Sequence, residues 1–381
     1  MTHDRTSVWQ QLEPWLLLFH VPGLGPVRYR ILVDRFGHPE AVLSAGRSSL
    51  LPLVPEHLLQ SIMRCRHDPA IHAALEHDRQ WLSCSAQHTI CHFGGRGYPS
   101  QLAAIEAPPP LLYVAGDFAC LSAEQIAMVG SRKPTVGALK SACHTAAQLV
   151  GAGFVITSGM AIGIDAQVHK GALDAGGKTV AVLAGGVDTV YPARHRQLAE
   201  RIRQQGALVS EFPLGTNPKP GHFPRRNRII SGLGLGVVVV EAAVDSGSLV
   251  TARCALEQGR EVFAMPGSVH NPQVRGCHKL IREGACLTEC AQHVIEELAG
   301  VLSGSRFRVD EAAEPSVTSA RPLPVCANQR QLLTCMGYDL CHPDELIVRS
   351  GLDSRTVSEL LQHLELDGWI KATTGGVMRT T

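Results

Sequence analysis

Ile126-Ala-Met-Val-Gly-Ser-Arg132 and Phe154-Val-Ile-Thr-Ser-Gly-Met-Ala-Ile-Gly-Ile-Asp165 follow one plan. A short apolar run ends in a turn of small residues, and a helical stretch comes next: Gly137–Val150 after the first, Ile164–Ala175 after the second. Four or five apolar residues are the length of a strand buried on both faces, and the amphipathic stretch behind them is the length of a helix. Leu111–Ala115, Thr179–Leu183, Ala207–Ser210, Val237–Val240 and Glu261–Ala264 are further runs of this kind. The alternation predicts an α/β fold, a mostly parallel sheet with helices on both faces. Right-handed crossovers then gather the loops that follow the strands on one edge, where ligands bind.

Glycine divides the chain. Of 37 glycines, four precede residue 94, 27 lie between 94 and 300, and six follow 301. Residues 1–93 read as a helical domain, with Val21-Pro-Gly-Leu-Gly-Pro26 between two short helices in the manner of a helix-hairpin-helix or SAM-like module. Free backbone N–H groups at such a turn can hold a phosphate, although a plain helical interaction module fits the same residues. Residues 94–301 carry the sheet. Residues 302–325, with Ser303-Gly-Ser305 and Pro322-Leu-Pro324, have no apolar period and read as a linker. Residues 326–381 predict helices over Gln329–Met336, Pro343–Ser350 and about 354–367, then a hairpin over Trp369–Met378 with a Gly-Gly turn: a winged helix. Its third helix sets Arg355 against Glu359, Glu365 and Asp367, a charge balance unsuited to duplex phosphates, so a protein-interaction role fits this domain better.

Composition limits the function classes. Of 381 residues, 45% are hydrophobic and 18% charged, as in a packed globular protein, and 35 bases against 34 acids leave a net charge of +1. A nucleic-acid site must therefore be a local basic patch. No window approaches the ~18 apolar residues of a membrane span, and Asp4 and Glu13 flank the first apolar run, unlike a secretory signal. Twelve cysteines without a CxxC pair read as reduced and mostly buried, which implies a cytoplasmic protein.

Four stretches suit anions. Gly130-Ser-Arg132 joins a strand to a helix, so backbone N–H groups and a guanidinium fork meet at one point. Ser158-Gly-Met-Ala-Ile-Gly-Ile-Asp165 repeats the arrangement, and Ser246-Gly-Ser248 gives a third turn before a helix. Lys219-Pro-Gly-His-Phe-Pro-Arg-Arg-Asn-Arg228 places four cations and one aromatic within ten residues, without an acid. Cations that track a backbone and an aromatic that stacks on a base suit single strands, so this stretch reads as an exposed basic loop up to Arg228. The bland alternatives are a tight βα turn with a solvated arginine at Arg132, and a core aromatic at Phe223.

Other patterns fail. Gly177-Lys178-Thr179 resembles the end of a phosphate-binding P-loop, but Gly171 has the wrong spacing and the segment leads from helix into strand. Thr157-Ser-Gly-Met-Ala-Ile-Gly-Ile-Asp165 does not match the GxGxxG spacing of the dinucleotide fingerprint, so no nicotinamide cofactor, and no other cofactor, is expected. Cys286, Cys290 and His293, near Cys277 and His278, lack zinc spacing and read as a cysteine cluster rather than a metal site. No nucleophile constellation is present.

Taken together, Tyr98-Pro, Pro108-Pro-Pro with Leu111-Leu-Tyr, Gly130-Ser-Arg, Ser158-Gly-Met-Ala-Ile-Gly-Ile-Asp, Tyr191-Pro, Phe223-Pro-Arg-Arg-Asn-Arg, Ser246-Gly-Ser-Leu-Val-Thr, Met265-Pro-Gly and Gly276-Cys-His-Lys-Leu-Ile with Gly284-Ala resemble the bacterial DNA-processing protein A (DprA/Smf) family, closely over roughly 90–300. The resemblance implies an extended Rossmann-like core that binds single-stranded DNA. It also implies a homodimer that protects incoming DNA in natural transformation and loads the RecA recombinase on it. Carried over to this sequence, it makes Ser131, Arg132, Ser158, Phe223, Arg225 and Asn227 candidate contacts. Arg194 and Lys219 stand near positions where the family places lysines, and Arg228 joins the set by charge. The expected function is therefore a binding protein, not an enzyme. A nucleotide phosphoribohydrolase with Asp165 or Glu241 at the ribose is the alternative from another class.

Overall fold

The computed structural model of the protein describes residues 5–300, 326–336, 340–373 and 375–379. Nine strands form one sheet: β1 (His88–His92), β2 (Leu111–Gly116), β3 (Gln125–Val129), β4 (Val155–Ser158), β5 (Thr179–Val182), β6 (Ala207–Ser210), β7 (Gly236–Val239), β8 (Glu261–Ala264) and β9 (Cys286–Leu287). Their order is β1-β2-β6-β5-β4-β3-β7-β8-β9. The seven strands from β6 to β9 in that order are parallel, and β2 and β1 extend the edge antiparallel. The chain runs outward from β3 through β4 and β5 to β6, then returns to start again at β7. A topological switch point therefore lies between β3 and β7, and the crevice outside their carboxyl ends is the natural ligand position.

Seven predicted runs coincide with β2 to β8 to within two residues. Two strands are additions: β1, inside the segment read as helical, and β9, inside the segment of Cys286 and Cys290. The basic stretch is not a loop throughout. From His222 it is helical, as part of the helix His222–Leu233, with Pro224 in the first turn, where no helical N–H is required.

The helices Arg5–Phe19, Pro26–Phe36, Glu56–Arg64 and Pro69–Cys84 do not stand apart from the sheet. Leu16, Leu32, Leu58 and Leu75 share one apolar cluster with Tyr113, Ala181 and Leu208, and Met1–Val309 form a single compact unit. Asp78, 1% exposed, fastens the two layers: its carboxylate lies 2.7 Å from His20 Nε2 and accepts from the Tyr113 hydroxyl at 3.1 Å. The predicted glycine-rich hairpin is present, with Pro26 at the first helical position and Gly23 at φ 83°.

The second unit, Asp310–Thr381, has helices Ala327–Met336, Pro343–Ser350 and Ser354–Leu366 and the hairpin Ile370–Thr373/Gly376–Arg379, as the winged-helix reading requires. Asp353 caps the third helix, where Arg355 bonds Glu359 at 3.1 Å. The expected linker, 302–325, lies outside the described residues. Among the described residues no helix is long and apolar enough to cross a membrane.

Asp78→Ala leaves the Tyr113 hydroxyl buried without its acceptor, which costs about 1–3 kcal/mol. In urea, the Met1–Val309 unit of this variant should unfold at lower denaturant in one transition by far-ultraviolet circular dichroism and tryptophan fluorescence alike. Separate transitions for the helical layer and the sheet would contradict the shared core.

Candidate nucleic-acid interface

Three turns meet at the switch point. The turn after β3 is held by a clasp to the end of β7. Ser131 N–H donates to the Glu241 carbonyl at 2.7 Å, and the Glu241 carboxylate accepts from Thr135 N–H at 3.1 Å and from the Thr135 hydroxyl at 2.7 Å. Thr135 also caps the helix Val136–Gly151. The turn after β4 comes equally close. Gly163 adopts φ 86°, and a Cβ there would lie 2.3 Å from the Ser131 carbonyl, which instead accepts from Ile164 N–H at 3.1 Å. Only glycine combines that conformation with that approach. In the third turn, Ser246 and Ser248 share a 2.6 Å hydroxyl contact at the start of the helix Ser248–Glu257.

The fourth wall is the helix His222–Leu233. Phe223, Arg226, Asn227 and Ile230 follow the i, i+3, i+4, i+7 spacing of one helical face, and all four line the groove. The groove has two adjoining hollows. The larger, about 690 Å³, lies between the turns after β3 and β7 and includes Ser131, Arg132, Ser246 and Ser248. The smaller, about 200 Å³, has Met160, Ile162 and Leu183 in its walls with Tyr191 and Arg194. Arg132, Ala161, Phe223 and Arg226 border both. The Arg132 guanidinium lies over the Phe223 ring, 5.3 Å from its centroid, and Tyr191 meets that ring edge-on at 6.0 Å.

Of the expected contacts, Ser131, Arg132, Arg194, Phe223 and Asn227 thus border one groove. Four do not. Ser158 is fully buried and donates to the Met128 carbonyl at 2.6 Å. Arg225 and Arg228 leave the helix on its other face, where both reach Glu211 Oε2, at 3.0 and 2.5 Å, and Arg228 also donates to the Ala107 carbonyl. Glu211 is 1% exposed, so this cluster neutralises a buried carboxylate away from the groove. Lys219 is exposed before the helix and outside the groove walls.

The cation that sequence reasoning left out is Arg226. It is 4% exposed and borders both hollows. Nη1 donates to the Val182 carbonyl at 2.8 Å, and Nε is buried without a partner among the described residues. Burial pushes its pKa down and that of the neighbouring Asp165 up, while their mutual attraction opposes both shifts. The helical period, applied from Phe223, selects Arg226 and Asn227 and rejects Arg225. Reading the stretch as a loop hid that period.

Asp165 and Glu241, the carboxylates a hydrolase would need, are both buried, and Glu241 is committed to Thr135. Cys277 is buried, whereas Cys286 and Cys290 are half-buried, the first on β9 and the second preceding the helix Ala291–Leu298. Among the described residues no three His, Cys, Asp or Glu side chains stand together as metal ligands.

Residues 89–299 match the family model for DNA recombination-mediator protein A, and residues 314–376 match the DprA winged helix domain. Protein Smf of Escherichia coli (strain K12) is 42% identical over 307 residues, covering 80% of this chain and 81% of its own. The chain belongs to the DprA/Smf family. DNA processing protein DprA of Bacillus subtilis (strain 168) is 45% identical over 202 residues, 53% of this chain and 68% of that protein. The X-ray structure of DprA from Streptococcus pneumoniae superposes with a TM-score of 0.66 at 33% identity, over 74% of this chain and 97% of its own. DprA from Helicobacter pylori, whose structure was described for its single-stranded DNA binding mode, gives 0.51 at 26% identity over 57% of this chain and 98% of its own. The DprA/Smf assignment therefore covers both the sheet and the winged helix.

His169 provides a pH test of the site's interior. Burial lowers its pKa from 6.5 to about 4. Between those values the unfolded chain takes up a proton that the folded chain refuses, so this group makes stability rise with pH across the window and adds no slope above it. The fall in melting temperature from pH 7 to 4.5 should be shallower in His169→Gln than in the parent. Parallel profiles would contradict a neutral buried imidazole.

Proposed function

We propose that this protein binds single-stranded DNA in the switch-point groove, without catalysing a reaction, and that this binding protects incoming DNA and precedes RecA loading in natural transformation. The observation that carries the reading is the single helical face of Phe223, Arg226 and Asn227 set opposite Arg132 and two helix-starting turns. Fixed N–H groups and guanidinium forks suit phosphates, and an aromatic at the boundary of an apolar hollow suits an unpaired base. A paired base would have to give up its pair and its stack to enter, a cost that favours single strands over duplex. Membership of the DprA/Smf family supports the wider role, with RecA as protein partner, a homodimer as the working form and the cytoplasm as its place. The N-terminal hairpin and the winged helix are not needed for the DNA contact in this reading.

The phosphoribohydrolase alternative draws no support from the site. A carboxylate at the ribose has to be free, and Glu241 already serves Thr135 N–H and hydroxyl. Incubation with nucleoside monophosphates should release no free base.

Titration with oligothymidine of increasing length tests the reading. Affinity should exceed that for duplex of equal length, and log affinity should fall with log salt at about −0.7 per neutralised phosphate, or about −2 for Arg132, Arg194 and Arg226 together. Phe223→Ala should cost about 1–3 kcal/mol of binding with little change in melting temperature. A flat salt dependence, or a Phe223→Ala protein that melts early but binds normally, would contradict the arrangement.

A further inference from the structure

His169 stands on the helix Ile164–Asp174 behind the turn that follows β4, with none of its surface exposed. Its Nε2 lies 2.6 Å from the Gly159 carbonyl and its Nδ1 lies 2.6 Å from Thr179 Oγ1. Thr179 is the last residue of the Gly-Lys-Thr triplet that resembled a P-loop, and its hydroxyl is also 2.7 Å from the Ile156 carbonyl. A carbonyl only accepts, so the proton of the neutral ring is on Nε2 and points at Gly159. Nδ1 is then an acceptor that competes with the Ile156 carbonyl for the single Thr179 hydroxyl proton, and Thr179 Oγ1, 2.6 Å away, bounds the ring on that side. The charged or titratable neighbours of the imidazole are Arg226 and His195.

Gly159 is also the floor under Arg226. A Cβ on Gly159 would come within 1.8 Å of Arg226 Nη1 and 2.5 Å of Asp165 Oδ2, so the guanidinium lies against the bare α-carbon. Among the described residues its one hydrogen bond is to the Val182 carbonyl, and its Nε is unpaired. A guanidinium with so few directional contacts takes its place from the surface it rests on. If the Gly159 peptide turns, that surface moves.

We propose that His169 is a positioning residue for nucleic-acid binding, holding the Gly159 carbonyl and thereby the seat of Arg226 in the groove. The inference rests on the groove being the single-stranded DNA site. His169 itself touches no ligand and acts through Arg226.

The test uses the full chain, an oligothymidine of fixed length, fluorescence anisotropy and melting temperature. His169→Leu removes the donor at similar volume and His169→Gln keeps a donor. Val168→Ala, fully buried on the same helix, destabilises the fold with the donor intact. His169→Leu should weaken binding about tenfold, His169→Gln should recover most of the loss, and Val168→Ala should bind like the parent while melting earlier. In an Arg226→Ala background, His169→Leu should add nothing, as for two residues acting through one contact. Equal affinities for His169→Leu and Val168→Ala, or an undiminished His169→Leu loss in the Arg226→Ala background, overturn the inference and leave the groove reading intact. Parent-like binding by Arg226→Ala overturns the groove reading and this inference with it. If His169→Leu does not fold, Thr179→Val, which frees the ring, enters the same cycle: a loss that vanishes with Arg226→Ala supports the inference, and no loss overturns it.

Discussion

Glu241 follows the end of β7 with a buried carboxylate that has two tasks at once. It receives the N–H and hydroxyl of Thr135, and its own carbonyl receives the N–H of Ser131. Negative charge beside the first turn of the helix Val136–Gly151 is favourable in itself, because the unpaired N–H groups of a helix start carry partial positive charge. The consequence is positional. β3 and β7 are the strands between which the chain reverses its order, and this clasp fixes the turn of one to the end of the other. Two groove elements are placed relative to it: the turn of Gly163 packs on the Ser131 carbonyl, and Arg132 projects from the turn so fixed, over Phe223.

The electrostatics follow from a division of labour along one short helix. Four cations lie within residues 219–228, but the helical period sends them in different directions. Arg225 and Arg228 pair with the buried carboxylate of Glu211. Arg226 turns to the groove and is buried against a glycine, with Asp165 as its nearby opposite charge. Burial makes Arg226 less mobile than a surface lysine, and its Nε has hydrogen-bonding capacity that no atom of the described residues uses. A net charge of +1 over the whole chain is compatible with a local group of cations, Arg132, Arg194 and Arg226, at the groove.

The strands from β2 to β8 were legible because each is a short apolar run closed by small residues, and a parallel sheet buried on both faces demands that pattern. β1 was not: His88-Thr-Ile-Cys-His92 has only an apolar centre and pairs at the antiparallel edge. β9 has two residues, too few to show a period. The turns at Gly130 and Ser246 were legible as anion-suited strand–helix junctions. What the residue types could not convey was direction. Ser158 has the right chemistry at the right strand end, yet its hydroxyl faces the sheet, and Arg225 and Arg228 face Glu211, the residue that follows β6. Lys219-Pro-Gly and Pro224 made the segment look irregular, although a proline in the first turn is compatible with the helix that begins at His222. The single core shared by the helical layer and the sheet depends on contacts such as Asp78 with Tyr113, 35 residues apart, which no local pattern reports.

The central claim is that one groove, at the β3–β7 switch point, receives the strand. Amide hydrogen exchange with and without saturating oligothymidine measures this directly across the chain. The groove reading predicts slowed exchange in three separate segments, 130–135, 159–165 and 243–251, together with the first turns of the helix His222–Leu233, and unchanged exchange in the helices of residues 5–84. Protection confined to the N-terminal hairpin around residues 20–28, or to the winged helix, with the three turns unchanged, would contradict it.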